Sequence, residues 1–366
     1  MYVWQQPCWP EFSWDVRALA GPLADAHKEQ GRLLGRMEAL GFESRSDARL
    51  LALTQEVTQS SEIEGEILDA DQVRSSIARR LGLDIAGLVS SDRYVDGAVE
   101  VILDATQSFA EPLTTERLFA WHTALFPTGG RSMQAIKVGA WRDDATGPMQ
   151  VVSGPIGRQR VHFEAPPASR LESDIGRFLE WFNEPADSDP LLHASLAHLW
   201  FVTIHPFDDG NGRIARAVAD MALARAENTT QRYYSMSAQI RAERSDYYRE
   251  LESAQKATLD ITRWHAWFLG CLFRAVTGGQ DKLGAVLEKA RFWERYARDP
   301  LNKRQILVLN RVLDGFEGKL TTSKWAKLAK CSQDTAYRDV LDLLERGVLV
   351  KNPEGGRSTS YSLAAI

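Results

Sequence analysis

The side chains best able to do chemistry fall within twelve residues, His205 to Arg216, written HPFDDGNGRIAR. The imidazole of His205 is a candidate general base near neutral pH. Asp209 offers carboxylate oxygens suited to a Mg²⁺ that itself bridges phosphates. The turn between Asp208 and Arg213 carries Gly210 and Gly212 and opens a helix. Its unpaired backbone N–H groups stand at the positive end of the helix dipole, an arrangement that binds phosphate. Arg213 and Arg216 are three apart, on neighbouring faces of the first turn. The dipole disfavours cations at a helix start, and a bound anion is the natural reason to place them there. A base, a metal carboxylate, an anion cradle and two arginines together read as nucleotide transfer.

Two helices must hold this turn. Leu192, Leu196, Leu199 and Ile204 predict a buried helix before it. Pro206 disfavours helical geometry at His205, which ends that helix and leaves the imidazole at its tip. Ile214, Val218, Met221 and Leu223 predict a second helix after it. His193 and His198, five apart, miss the three- or four-residue spacing of a metal pair and are assigned to packing or exposed surface. A plain glycine turn between two core helices accounts for Phe207, Gly210 and Gly212 but gives the polar residues no role.

The stretch resembles the active-site motif of the Fic family, H-P-F-x-[DE]-G-N-G-R-x-x-R, at all nine fixed positions. That resemblance implies a mainly α fold: a Fic-type helical core with a β-hairpin flap, an N-terminal helical extension and a C-terminal winged helix-turn-helix domain. It implies transfer of AMP from ATP to a Ser, Thr or Tyr hydroxyl of a target protein, self-modification included. His205 is then the catalytic base and Asp209 the Mg²⁺ ligand, while Gly210, Asn211, Gly212, Arg213 and Arg216 bind the nucleotide phosphates. Fic-like proteins also include enzymes that transfer other phosphate-containing groups and enzymes that reverse the reaction. DeAMPylation therefore stays open, as does a nucleotide-sensing transcriptional regulator acting through the winged helix.

Upstream, Ser46 or Asp47 can cap a helix carrying Leu50, Leu53 and Val57 on one stripe. Continued, the stripe reaches Ser60 or Ser61 and then Glu64, a hydroxyl and a carboxylate facing inward, with Gly65 as a C-cap. A buried carboxylate needs a partner, and an arginine of the anion cradle is the obvious one. Ser60 to Gly65 resembles the family's inhibitory motif, [ST]-x-x-x-E-[GN]. By that resemblance Glu64 pairs with Arg216 and blocks productive ATP binding.

Between Gly139 and Pro167, Gly147, Pro148, Gly154, Pro155 and Gly157 surround short valine-rich strips and predict a β-hairpin. In the resembled family a hairpin here is the flap, which holds a target peptide by strand addition. Met149, Gln150, Val151 and Val152 are the chosen edge; an ordinary surface hairpin is the competing reading. Gly139, Trp141 and Arg142 match a loosely patterned structural position before it, and His162 has no assigned role. His122, in an apolar helix, is read as a hydrogen-bonded core histidine. Tyr247, Tyr248 and Leu251 can form a flat apolar face for a purine, with Gln255 offering the donor–acceptor pair an adenine edge needs. Core packing competes for all four.

A chain of 366 residues predicts more than one domain. The division read here is an N-terminal helical region over 1–110 carrying the inhibitory helix, a Fic domain over 111–278, a helical connector over 279–304 and a winged helix-turn-helix domain over 305–366. Hydrophobic content of 44% and charged content of 25% are those of a soluble globular protein. No apolar run approaches a membrane span, and a net charge of −5 argues against a nucleic-acid binder. In the last domain a recognition helix over Gln333 to Arg346 would carry Asp334, Asp339, Asp342 and Glu345, which repel phosphate. A protein-contact role is favoured there over DNA. Cys8, Cys271 and Cys331 are far apart and lack a CxxC spacing, which fits a reducing cytoplasm. The strip Trp4, Trp9, Phe12 and Trp14 reads as packing along another element; shared between two copies, it would make a homodimer.

Overall fold

The computed structural model of the chain describes residues 1–38, 41–85, 87–128, 136–145, 147–155, 158–185, 187–296, 301–313, 316, 318–353 and 359–364. Two compact units divide it, Met1–Gln280 and Asp281–Ile366. The first is built on α1 (Val16–Glu38), α2 (Phe42–Ile63), α3 (Ala70–Leu81), α4 (Arg93–Gln107) and α5 (Thr115–Leu125). A hairpin follows, β1 (Gln150–Ser153) and β2 (Arg160–Glu164), then α6 (Leu171–Asn183), α7 (Pro190–Ile204) and α8 (Asn211–Glu227). Next come α9 (Met236–Ala242), α10 (Arg244–Lys256) and α11 (Thr262–Arg295), whose residues beyond Gln280 belong to the second unit. The fold class is mainly α, as the sequence predicts.

The centre of the unit is α7 packed on α8. Asp189 caps α7 by accepting from the Leu191 N–H, and Pro190 stands at its first turn, where a missing N–H costs nothing. Every residue from Leu191 to Ile204 is buried, so α7 is wrapped on all sides and not just along a stripe. His193 stacks on Trp181 with ring centroids 4.1 Å apart, and His198 is buried against Tyr247, Trp264 and Phe268. Both are packing residues.

Several local expectations change. The α2 helix begins at Phe42 with Gly41 at its N-cap, so neither Ser46 nor Asp47 caps it. Thr114 caps α5, accepting from the Arg117 N–H. The division between the two units falls at Gln280, close to the domain end read at 278, although α11 runs through Gly278 and Gly279 without interruption. Gly279 is small for a packing reason: an added Cβ would lie 2.9 Å from the Tyr233 carbonyl oxygen. Gly157 lies outside the described residues.

The second unit holds α12 (Lys303–Leu313), β3 (Leu320–Thr321), α13 (Thr322–Leu328), α14 (Gln333–Glu345), β4 (Leu349–Lys351) and β5 (Ser360–Leu363). Its antiparallel sheet has the order β3-β5-β4, and Trp325, Val308, Val340 and Leu343 fill its core. Two of the acids expected to repel DNA are used internally. Asp339 is buried and takes the Arg304 guanidinium at 2.9 Å, and Asp342 pairs with Arg346. The glycine-rich loop Glu354 to Arg357 lies outside the described residues.

The α4 helix crosses α5 at Gly97, where an added Cβ would lie 1.8 Å from the Ala124 carbonyl oxygen. Backbone on both sides cannot yield as a side-chain tip would. Gly97→Ala should destabilise the chain by about 3 kcal/mol, the upper end of ordinary overpacking costs; an unchanged denaturant midpoint would contradict this crossing.

Candidate active site

The α7 helix stops at His205, whose backbone is left-handed (φ 52°, ψ 58°). That conformation costs a non-glycine residue on the order of 1–3 kcal/mol and persists only where its surroundings impose it. Arg142 supplies much of the constraint. Its Nε donates to the His205 carbonyl at 2.8 Å, its backbone N–H to the Pro206 carbonyl at 3.0 Å, and its Nη2 to the Pro166 carbonyl. The resulting pose lets the His205 Nδ1–H donate to the Val202 carbonyl at 3.1 Å. A carbonyl only accepts, so Nδ1 carries the proton and Nε2 is the acceptor nitrogen. Loss of solvent around the ring, aided by Arg142 and opposed by the Val202 hydrogen bond and by Glu64 and Asp209, brings its pKa down to about 4. His205 is therefore neutral near pH 7, with a basic nitrogen to offer.

The turn is braced from within. Asn211 accepts from the Phe207 N–H at 3.0 Å and donates to the Phe207 carbonyl at 2.8 Å. His122 stacks flat on Phe207, centroids 4.2 Å apart, accepts the Gly139 N–H on Nδ1 and donates from Nε2 to the Asp209 carbonyl at 3.2 Å. It is the hydrogen-bonded core histidine expected, and it holds the turn in place. Gly210 has a φ of 80°, and an added Cβ would also meet the Phe126 ring. Asp209 is exposed, with Oδ1 accepting the Gly210 N–H.

Both arginines are buried and already hold anions. Arg216, 2% exposed, donates from Nε to Ser60 Oγ at 2.9 Å and from Nη2 to the Ser60 carbonyl at 2.8 Å. The same Nη2 meets Glu64 Oε1 at 2.9 Å, while Nη1 finds no hydrogen-bond partner among the described residues. Arg213 donates to Glu66 Oε2 at 2.6 Å and lies over the Phe126 ring. Glu64 does not face inward as the stripe predicts. The α2 helix ends beside it, its side chain keeps 31% of its surface, and its carboxylate rests against the open Cα of Gly212. Gly65, at φ 86°, reverses the chain just beyond, with the Glu66 N–H returning to the Ser61 carbonyl at 3.0 Å. Glu66 escaped the sequence reading because only this reversal turns it back to Arg213.

A cleft of about 1100 Å³ opens over the turn, lined by Glu64, His205, Gly212 and the α10 face. Tyr247, Tyr248, Leu251 and Gln255 all border it. Tyr247 is buried, its hydroxyl bonded to His198 Nε2 at 3.0 Å, and Gln255 donates to Thr203 Oγ1 at 3.4 Å. Tyr248 is the more open ring, 37% exposed. From the hairpin, Val151 and Val152 reach the cleft; Met149 and Gln150 do not line it. Register pairs Gln150 with Glu164 and Val151 with Phe163, with an irregularity between Val151 and Val152. Met149 precedes the strand but still accepts the Ala165 N–H at 2.9 Å.

Residues 112–223 match the Fic/DOC family model, and residues 2–83 match a domain of unknown function, DUF4172. The uridine 5'-monophosphate transferase of Xanthomonas campestris pv. campestris (strain 8004) is 29% identical over 154 residues, 38% of this chain and 26% of its own. The protein adenylyltransferase Fic of Drosophila willistoni is 23% identical over 237 residues, 59% of this chain and 43% of its own. The chain thus spans less than half the length of these curated relatives. A Fic family protein from Desulfovibrio desulfuricans G20 shares the fold with a TM-score of 0.55 at 21% identity, covering 97% of this chain and 98% of that one. Motif, domain match and fold agree that residues 112–223 of the chain are a Fic/DOC family domain.

Four other histidines share the fate of His205. Burial lowers His122, His193 and His205 to about 4 and His198 and His265 to about 3. The unfolded chain protonates them near pH 6.5, so it binds more protons than the folded chain between about 6.5 and 4. Stability is then full above about pH 6.5 and falls as pH drops toward 4. A denaturant midpoint that stays level across that window would contradict neutral burial.

Proposed function

We propose that the chain transfers AMP from ATP to a side-chain hydroxyl of a protein, and that its own Glu64 and Glu66 restrain it. The observation that carries this is the pose of His205, an acceptor nitrogen at the edge of a cleft that meets a glycine turn and a helix start. Relatives named as adenylyltransferase and as uridine 5'-monophosphate transferase support nucleotidyl transfer. In the step, His205 Nε2 takes the proton of the incoming hydroxyl while that oxygen bonds to the α-phosphorus and pyrophosphate leaves. The backbone N–H groups at the start of α8 stabilise the charge that develops. Arg213 and Arg216 grip the β- and γ-phosphates. Asn211 serves as the brace of the turn, since its amide is bound to Phe207 on both sides.

Among the described residues no three His, Cys, Asp or Glu side chains form a ligand group. Asp209 alone on the turn fits Mg²⁺, which takes one or two carboxylates and fills its remaining positions with phosphate and water. When bound, it would neutralise phosphate charge. Tyr248 and Leu251 provide the apolar face for adenine. The free edge of β1 can take an extended target peptide, with Val151 and Val152 at the cleft.

The restraint follows from charge. An ATP phosphate and the carboxylates of Glu64 and Glu66 compete for the same two buried guanidiniums, and one ligand excludes the other. A charge-assisted contact is worth about 1.5–3 kcal/mol, so Glu64→Gly should raise transfer from labelled ATP to lysate proteins on the order of tenfold or more. Adding Glu66→Gln should tighten ATP binding further. His205→Ala in the Glu64→Gly chain should lower target labelling on the order of 100-fold, the contribution of a positioned base. Equal labelling by wild type and Glu64→Gly would sink the restraint; target labelling indifferent to His205→Ala would sink the mechanism.

A further inference from the structure

The cleft bordered by His205 and Gly212 is also lined by Ser153 of β1, His162 of β2 and Glu252 of α10. These three form one hydrogen-bonded chain. The His162 Nδ1–H donates to Glu252 Oε2 at 2.8 Å, and the Ser153 hydroxyl donates to His162 Nε2 at 2.6 Å. The direction follows from chemistry: a carboxylate only accepts, so Nδ1 carries the proton of the neutral ring and Nε2 is left to accept. Glu252 stays ionised, held to about 2 by Lys256, His162 and Arg160. Ser153 is exposed at the end of its strand, opposite Arg160. Hydroxyl, imidazole and carboxylate in this order is the arrangement that activates a serine nucleophile, the third group fixing the tautomer of the second.

We infer that Ser153 is an acceptor of the nucleotidyl group within this chain, with His162 as its base and Glu252 as the positioning residue for His162. The inference rests on ATP occupying the cleft. In the step, Ser153 Oγ forms a bond to the α-phosphorus, and the bond from that phosphorus to the oxygen bridging the β-phosphate breaks. Pyrophosphate leaves with the electron pair, and the hydroxyl proton passes to His162 Nε2.

Two measurements test it, one free of nucleotide. A fluorophosphonate, which reports activated serine, should label Ser153 of the full chain and should react on the order of 100-fold more slowly with His162→Ala. Glu252→Gln should shift the pH profile of that reaction, a change no packing role produces. With ATP and Mg²⁺, the Glu64→Gly chain should carry an adenylyl adduct on Ser153 by peptide mass spectrometry, lost in His162→Ala and retained in Ser153→Thr. Adducts confined to other residues, or a Ser153 adduct indifferent to His162→Ala, overturn the inference and leave transfer to targets standing. An unreactive Ser153 toward fluorophosphonate overturns the activation whatever ATP does. No nucleotide adduct on the chain or on any lysate protein, with fluorophosphonate still on Ser153, removes the transfer reading and the acceptor role together.

Discussion

A guanidinium held out of water must find negative charge or hydrogen-bond acceptors, and Arg216 is such a group. It stands in the second turn of α8, near the positive end of the helix dipole, which does nothing to favour a cation. Ser60 and Glu64 meet that need from the end of α2. Much of the neighbourhood follows from the contact. The α2 helix must end beside Glu64, Gly65 must turn the chain back, and Gly212 must lack a side chain so that the Glu64 carboxylate can come close. Glu66 then reaches Arg213, and a pair of carboxylates holds a pair of arginines. A surface ion pair would be nearly worthless here; burial of the arginines is what gives the contact weight.

The imidazole of His205 depends on a different kind of constraint. Its backbone is held left-handed by Arg142, whose donors reach His205, Pro206 and Pro166, three carbonyls that no helix or sheet ladder satisfies. Asn211 and His122 fix the turn that follows. Rigid placement of a base is worth more than its basicity alone, because proton transfer requires the heavy atoms within hydrogen-bond reach. The strain at one residue is thus distributed over three side chains, Arg142, Asn211 and His122.

The hairpin takes its support from the chain's beginning. Trp4 donates its indole N–H to the Glu164 carbonyl at 2.7 Å, and the Tyr2 ring meets Phe163 edge-on at 5.3 Å. Trp9 and Phe12 pack on Trp200 of α7. The aromatic strip therefore ties β2 and α7 together within one chain. On the other side Glu252 of α10 holds Arg160 and His162 of β2. A two-stranded hairpin is marginal by itself in water; here it is fastened at both faces.

Local chemistry and periodicity carried far in this sequence. The helices flanking the motif, the turn residues and the hydroxyl–carboxylate pair of Ser60 and Glu64 are legible because proline, glycine and apolar spacing act over a few residues. What spacing could not reach is contact between distant segments. That Glu66 faces Arg213, that Arg142 staples the turn, and that Ser153, His162 and Glu252 join in one chain depend on where three separate elements arrive. The stripe on α2 placed Glu64 inward, but the helix ends there and the side chain turns along the cleft. Gly279 sits just before the division between the two units, yet it is also a close packing point against Tyr233, which a glycine's sequence position alone does not reveal. Residue types and short spacings set the chemistry available to this chain; only tertiary packing decided which charges meet, because burial and desolvation are properties of the folded whole.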